Sequence, residues 1–260
     1  MTERKLDGRV ALITGASRGI GRAIARGYAK EGATIAVTAR TQADLQSLVE
    51  EVRQAGGIAL PICADLTDSS APADIVARAF EAAGSIDILV NNAGIGSSSN
   101  PRPVVNFDDS FWDKTLTLNL TVPYKLTKAV LPVMLGKKWG RIVNVASING
   151  KLPAIHGAAY TASKHGLLGL TRTLALEVAR DGITVNAICP GPVRTEMNER
   201  RLEYDAQRLG VSIPELEARL TPIGRRLEPE EIVPIAILLA SDESAAITGQ
   251  AFNVCGGIAT

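Results

Sequence analysis

The sequence predicts a doubly wound α/β fold, a parallel seven-stranded sheet with helices on both faces. Three observations carry this. Short apolar, β-branched runs alternate with longer stretches of helical period almost from end to end. Those runs are nearly continuously apolar, as strands buried on both faces are. Glycine closes the helical stretches at Gly32, Gly56, Gly84 and Gly182, where a left-handed residue ends a helix. Such strand–helix–strand repetition implies right-handed crossovers between parallel neighbours.

In chain order, the first strand is predicted over Arg9–Thr14. The helix Gly19–Glu31 follows, with Ile20, Ala23, Ile24 and Tyr28 on one side. The second strand, Thr34–Ala39, leads to the helix Gln42–Ala55, whose Leu45, Leu48, Val49 and Val52 share a face. Further strands are predicted over Ile58–Cys63, Ile86–Asn91, Gly140–Ala146, Ile183–Cys189 and Ala251–Val254. From 191 to 228 the alternation stops. Long polar residues there surround scattered Met197, Leu202, Tyr204, Leu209, Ile213 and Leu216, with Pro190-Gly191-Pro192 before them and Pro222 and Gly224 towards the end. An insertion leaving the C-terminal end of a strand, where α/β sheets bind ligands, reads as a helical substrate lid; the plainer alternative is a surface excursion or subunit contact. No repeat, low-complexity tract or linker divides the chain, so residues 1–260 read as a single domain.

Composition excludes several function classes. Lys and Arg number 28 against 27 Asp and Glu, a net charge of +1 that provides no field for nucleic acid or a membrane surface. Aromatics at 4% are too few for a base-stacking platform. Cys63, Cys189 and Cys255 show no CxxC spacing, which disfavours zinc and structural disulfides and fits a reducing, cytoplasmic setting. The run Ile235–Ala240, even with Ile232 and Val233, is far short of a membrane span, and Val10–Ile13 is too short for a signal-peptide core.

The first strand runs into Thr14-Gly15-Ala16-Ser17-Arg18-Gly19-Ile20-Gly21 and then a helix. Glycines at 15, 19 and 21 permit the tight turn, the close backbone approach and the helix–strand packing that a pyrophosphate needs, and the helix N-terminus offers free N–H groups. No Gly-Lys-Ser/Thr follows, which disfavours a phosphate-transfer loop. The same residues also read as Gly-x-Ser-x-Gly, the nucleophile elbow of an α/β-hydrolase, with His156 or His165 as base. That esterase reading lacks the earlier strands and the upstream loop that build an oxyanion hole, since only sixteen residues precede Ser17.

The second motif is Tyr160-Thr161-Ala162-Ser163-Lys164. On a helix Tyr160 and Lys164 are i and i+4 and project from one face. An ammonium there is expected to lower the phenol pKa, so that Tyr160 exchanges a proton with a substrate oxygen near neutral pH. Ser147 closes the strand thirteen residues earlier, at the sheet edge where sites lie.

With Asn91-Asn92-Ala93-Gly94 after the fourth strand, Asn119, and Pro190-Gly191, these motifs resemble the short-chain dehydrogenase/reductase family, in its order and spacing from about residue 9 to about residue 254. The spacing Gly15/Gly19/Gly21 and the length match its compact branch. The resemblance implies a Rossmann-type dinucleotide-binding and catalytic domain. In it Tyr160 is the acid/base, Ser147 orients the carbonyl oxygen, Lys164 holds the nicotinamide ribose and lowers the Tyr160 pKa, and Asn119 supports a proton relay. Gly15, Ser17, Arg18, Gly19, Ile20 and Gly21 would hold the pyrophosphate side of the cofactor. Asn92, Ala93 and Gly94 would line it, Asp65 with Leu66 would meet the adenine, and Pro190, Gly191, Val193 and Thr195 would shape the nicotinamide pocket. The tail Asn253-Val254-Cys255-Gly256-Gly257 and Tyr160–Gly166 are similar to ketoreductases of β-keto acyl or polyketide substrates, while the 191–228 insertion is similar to that of hydroxybutyrate-type dehydrogenases. The family further implies a homotetramer. A non-catalytic NADP-sensing binder is the other alternative, although such proteins often lose the Tyr or Lys present here.

Charge argues for NADP(H) over NAD(H). An acid at the end of the second strand accepts from the ribose 2′-OH in NAD sites. Here that strand ends Thr38-Ala39-Arg40-Thr41, with no carboxylate before Asp44, and Arg40 and Arg18 are expected to converge on a 2′-phosphate. His165 is expected to face the sheet or a neighbouring subunit, and His156 to line the pocket or pack its loop. Two histidines without clustered acids give no metal site. Arg200, Arg201, Arg208, Arg219, Arg225 and Arg226 either meet an anionic substrate or form a solvated face paired with Glu199, Glu203, Glu215 and Glu217.

Overall fold

The computed structural model describes residues 4–259. Seven strands form one sheet: β1 (Val10–Thr14), β2 (Thr34–Ala39), β3 (Ile58–Cys63), β4 (Ile88–Asn91), β5 (Gly140–Val145), β6 (Ile183–Pro190) and β7 (Ala251–Val254). Their order is β3-β2-β1-β4-β5-β6-β7 and every pairing is parallel.

The period-2 rule of a strand assigns its side chains to two layers. Ala11 and Ile13 of β1 join Ile24 and Tyr28 of α1 (Gly19–Lys30), Leu45 and Leu48 of α2 (Gln42–Gln54) and Leu239 of α9 (Val233–Ala240). Leu12, pointing the other way, joins Ile75 of α3 (Ala71–Ala83), Leu126 and Val130 of α5 (Val122–Lys137) and Leu174 of α6 (Ala158–Val178). Both sheet faces are thus covered, as the unbroken apolar strands required.

Three strand ranges match the sequence expectation, and the four glycines at helix ends all adopt positive φ. The largest difference is at β4, which begins at Ile88. Just before it the Asp87 carboxylate accepts the Val10 N–H at 2.9 Å and is paired with Lys137, so a side chain takes part where the ladder was expected to start. The chain leaves β1 towards β2 and β3, then returns to place β4 on β1's other side. This reversal opens a crevice at the C-terminal ends of β1 and β4.

Residues 191–228 contain α7 (Glu196–Leu209) and α8 (Ile213–Arg219), which share a small core of Leu202, Ala206 and Leu216. Met197, Leu209 and Ile213 are exposed. The ends of the segment are tied together, since Arg194 N–H donates to Leu227 and Leu227 N–H to Pro192, at 2.8 and 2.9 Å.

Candidate active site

The β1–α1 turn is built from backbone and two short side chains. Gly15 and Ala16 N–H both donate to Thr38 at the end of β2, at 2.8 and 3.2 Å. The Thr14 hydroxyl accepts from Asn92 and Ala93 N–H, each at 3.0 Å, while the Asn92 amide donates to the carbonyls of Thr14 and Gly15. A Cβ at Gly21 would lie 2.4 Å from Asn92 Nδ2 and 2.4 Å from the Gly15 oxygen, so only glycine lets α1 approach this closely. Arg18, the N-cap of α1, is extended and makes no side-chain cap, leaving the first-turn N–H groups without a side-chain acceptor. A backbone cradle at an uncapped helix N-terminus fits a dinucleotide pyrophosphate.

Around the crevice Leu66 is buried and Asp65 exposed. The Asp65 carboxylate accepts from Thr67 N–H and hydroxyl, which lowers its pKa, with the Arg40 and Lys114 charges adding to the effect. Arg18 and Arg40 do not converge as expected. Arg40 projects into solvent near Asp65, whereas the Arg18 guanidinium is ion-paired with Glu196 at the start of α7. Gly191 packs against Cys255, Val193 is buried, and Thr195 caps α7 with its methyl against Gly19.

Ser147, Tyr160, Lys164 and Asn119 gather at the C-terminal end of β5. Ser147 follows the strand, and its hydroxyl accepts from Asn149 N–H at 3.1 Å. Tyr160 and Lys164 lie on one face of α6, with the Lys164 Nζ 5.7 Å from the Tyr160 ring centre. Asn119 sits in a π-helical turn, Thr117–Thr121, between α4 (Asp109–Leu116) and α5. Its amide group exchanges two hydrogen bonds of 2.9 Å with the Ile95 backbone.

The pKa expectation for Tyr160 is overturned. Burial raises it, opposed by the neighbouring Ser147, and no lowering by Lys164 appears. The reason is geometric, because the Lys164 ammonium donates to the Val145 carbonyl at 2.8 Å instead of meeting the phenol. Burial brings Lys164 itself down to about 8.

Other expectations also need correction. Of the two readings of His165, the sheet-facing one is overturned: the residue is exposed and bonds the Thr161 carbonyl one turn back. Arg200, Arg201, Arg208, Arg219, Arg225 and Arg226 are paired, but with Glu196, Asp205 and Glu231 as well as Glu199, Glu215 and Glu217, while Glu203 takes no part. His156 hydrogen-bonds Tyr204 of α7 at 2.7 Å, so its loop is joined to that helix. Neither histidine bonds Ser17. Among the described residues no group of His, Cys, Asp or Glu is arranged to hold a metal, and no helix is long and apolar enough to cross a membrane.

Sequence reasoning missed a polar scaffold behind the site. Asn119 Nδ2 donates to the Ser163 hydroxyl at 3.1 Å, and Ser163 donates to the Tyr160 carbonyl at 2.7 Å, a link between the π turn and the tyrosine's backbone. Beneath it Asn91 donates to Asn144 and Asn144 to Thr171, at 2.8 and 2.9 Å, joining β4, β5 and α6. The available signal was two asparagines inside otherwise apolar strands. Such buried amides require partners.

A family model described as short chain dehydrogenase matches residues 9–205. The chain belongs to this family. It is accordingly an NAD(P)-dependent oxidoreductase, and the esterase reading of Ser17 is overturned. A Streptomyces violaceoruber protein, provisionally named as ketoacyl reductase 1 of the granaticin polyketide synthase, is 44% identical over 96% of this chain and 92% of its own length. A D-β-hydroxybutyrate dehydrogenase of Cupriavidus necator is 37% identical over 97% of this chain and 98% of its own. Among solved structures, a variant of actinorhodin polyketide ketoreductase with NADPH superposes with a TM-score of 0.91 at 41% identity, covering 96% of this chain and 97% of that one.

Proposed function

We propose that the protein is an NADP(H)-dependent ketoreductase for β-keto acyl or polyketide-like substrates, with residues 1–260 acting as one cofactor-binding and catalytic domain. The observation that carries this is Tyr160 set beside Ser147 at the C-terminal sheet edge, next to a glycine cradle and a β2 end bearing Arg40 and no carboxylate. Similarity to polyketide ketoreductases, one solved with NADPH, supports the substrate class and the cofactor preference.

A bound NADP(H) supplies or accepts the hydride. The chain's own residues do the rest. The turn Gly15–Gly21 with Ser17 and Ile20 holds the pyrophosphate, Arg40 and, once released from Glu196, Arg18 hold the 2′-phosphate, Asp65 and Leu66 meet the adenine, and Asn92, Ala93 and Gly94 line the crevice. Pro190, Gly191, Val193 and Thr195 close the nicotinamide side. Ser147 donates to the substrate carbonyl oxygen and fixes its position against Tyr160, which gives that oxygen its proton during reduction. Lys164 turns from Val145 to the ribose hydroxyls, and Asn119 maintains the proton path. Residues 191–228 serve as a lid over the substrate. A homotetramer in a reducing, cytoplasmic setting completes the reading.

The test is the loss of nicotinamide absorbance with NADPH or NADH, using a β-keto thioester, a bicyclic ketone and acetoacetate. Turnover with the thioester or bicyclic ketone and NADPH is expected. Turnover confined to acetoacetate and NADH would overturn the assignment.

A further inference from the structure

We propose that Glu196 limits cofactor preference from outside the phosphate site, by competing with a 2′-phosphate for Arg18. The inference rests on the NADP(H) reading above and adds to it a residue that no cofactor contact would reveal. Arg18 and Glu196 lie 178 positions apart in sequence, yet their side chains form an ion pair across the crevice. The approach is set by backbone packing: Thr195, immediately before Glu196, rests its methyl 3.1 Å from where a Gly19 Cβ would be. The start of α7 is therefore fixed against the phosphate turn, and Glu196, in its first turn, is carried to Arg18.

Glu196 has a second partner, since its other carboxylate oxygen accepts from Arg200 one turn along α7. It also sits at the helix N-terminus, where a negative charge is favoured. It thus remains stabilised when Arg18 leaves. Arg18 has only this one acidic partner among the described residues. A 2′-phosphate, carrying more charge than a carboxylate and three acceptor oxygens, can draw the guanidinium away. NAD(H) has no such group and leaves the pair intact. Breaking the pair therefore weakens NADP(H) binding and leaves NAD(H) binding alone, which narrows the preference that Arg18 and Arg40 create. Both side chains are largely exposed, so the effect is modest, about two- to fivefold in affinity.

The experiment is equilibrium titration of the full-length protein with NADPH, NADH and the fragment 2′,5′-ADP, in wild type, Glu196→Gln, Arg18→Gln and the double variant. Glu196→Gln is expected to tighten NADPH and 2′,5′-ADP about two- to fivefold with NADH unchanged, and the gain should vanish in the Arg18→Gln background. An equal gain for NADH, or a gain that persists without Arg18, would mean general charge removal and overturn the proposal. If NADPH is preferred and Arg18→Gln weakens it while Glu196→Gln does nothing, the role of Glu196 alone fails. If wild type binds NADPH no tighter than NADH and Arg18→Gln changes neither, the NADP(H) reading fails and takes this inference with it.

Discussion

The ammonium of Lys164 is anchored on the carbonyl of Val145, not on Tyr160. The bond is 2.8 Å long, the lysine is buried, and the phenol it was expected to activate carries a raised pKa. Spacing on a helix brings two side chains to one face, but what each then touches is decided by neighbouring elements. Here β5 ends beside α6 and presents a free carbonyl to the lysine before any ligand does.

The buried Lys164 gives the protein a pH-dependent stability whose sign is fixed by its pKa of about 8 against 10.5 when unfolded. Below pH 8 both states hold the proton, and the folded state bears the full cost of burying the charge. Between pH 8 and 10.5 the unfolded chain binds more protons, so stability contributed by this group rises with pH. Denaturant titrations of the cofactor-free protein at pH 7.5 and 10 should show Lys164→Met removing that rise, on the order of 3 kcal/mol in full. Identical pH slopes for the two proteins would show the lysine to be solvated.

On the proposed mechanism Tyr160→Phe retains the ring and its packing and deletes the proton donor. Turnover is expected to fall by roughly two to four orders of magnitude with cofactor affinity preserved. Ser17→Ala should change turnover far less, because Ser17 belongs to the phosphate turn. Single-turnover kinetics beside cofactor titration separate the two effects. Wild-type turnover in Tyr160→Phe would remove the tyrosine from the chemistry.

The strands were legible as short apolar runs between helical stretches, but burial did not fix their ends. The edge strands β3 and β7, only partly buried, agree to the residue, as does β2, whereas the fully buried β1, β4, β5 and β6 each differ at one end. The glycine turn and the Tyr160/Lys164 face were equally legible, since local spacing alone brings their members together. Contacts between distant elements were not. Nothing near Arg18 in sequence indicates Glu196, and nothing near Lys164 indicates that its ammonium is anchored on the Val145 carbonyl. The sheet-facing alternative for His165 was avoidable: Ser163, Lys164, Leu167, Leu168 and Thr171 are all buried and leave position 165 on the opposite face of α6. The π turn at Asn119 has no sequence signature of its own.

Arg40 at the end of β2 has no bonded acidic partner among the described residues, so its guanidinium is available to a ligand phosphate. Arg40→Asp should repel a 2′-phosphate and accept from a ribose 2′-OH. Dissociation constants for NADPH and NADH are expected to change in opposite directions, reversing or abolishing the preference. An unchanged ratio would place the phosphate elsewhere.

Gly21→Ala tests the cradle. Its methyl would overlap both the Gly15 carbonyl and the Asn92 amide, forcing α1 away from the turn and breaking the two bonds that Asn92 makes there. Overpacking of this kind costs about 1–3 kcal/mol. The melting temperature should fall, and cofactor affinity should fall further than stability alone explains. Retained affinity in a destabilised protein would separate the turn's packing from binding.

Arg226 holds residues 191–228 together from within. It is only 3% exposed, pairs with Glu199 of α7 and Glu217 of α8, and leaves its Nε without a hydrogen-bond partner. Glu217 is shared with Arg194, near the start of the segment. The pairs thus join both helices to the two tied ends, while the apolar core beneath α7 and α8 is small. Arg226 is the buried member, so truncating it opens a cavity and frees its acidic partners. The loss should stay local because α7 and α8 share a core of their own, apart from Val193 and Leu227 at the segment's ends, which join the sheet core. Arg226→Ala is expected to speed hydrogen exchange in α7 and α8 by roughly 10- to 100-fold, equivalent to about 1–3 kcal/mol of local opening, with β1, β4 and β5 amides unchanged. Arg226→Met, which refills the volume without the charge, should recover part of the protection. Equal acceleration across the sheet would show that the segment opens only with the whole molecule, and it would then not act as an independent lid.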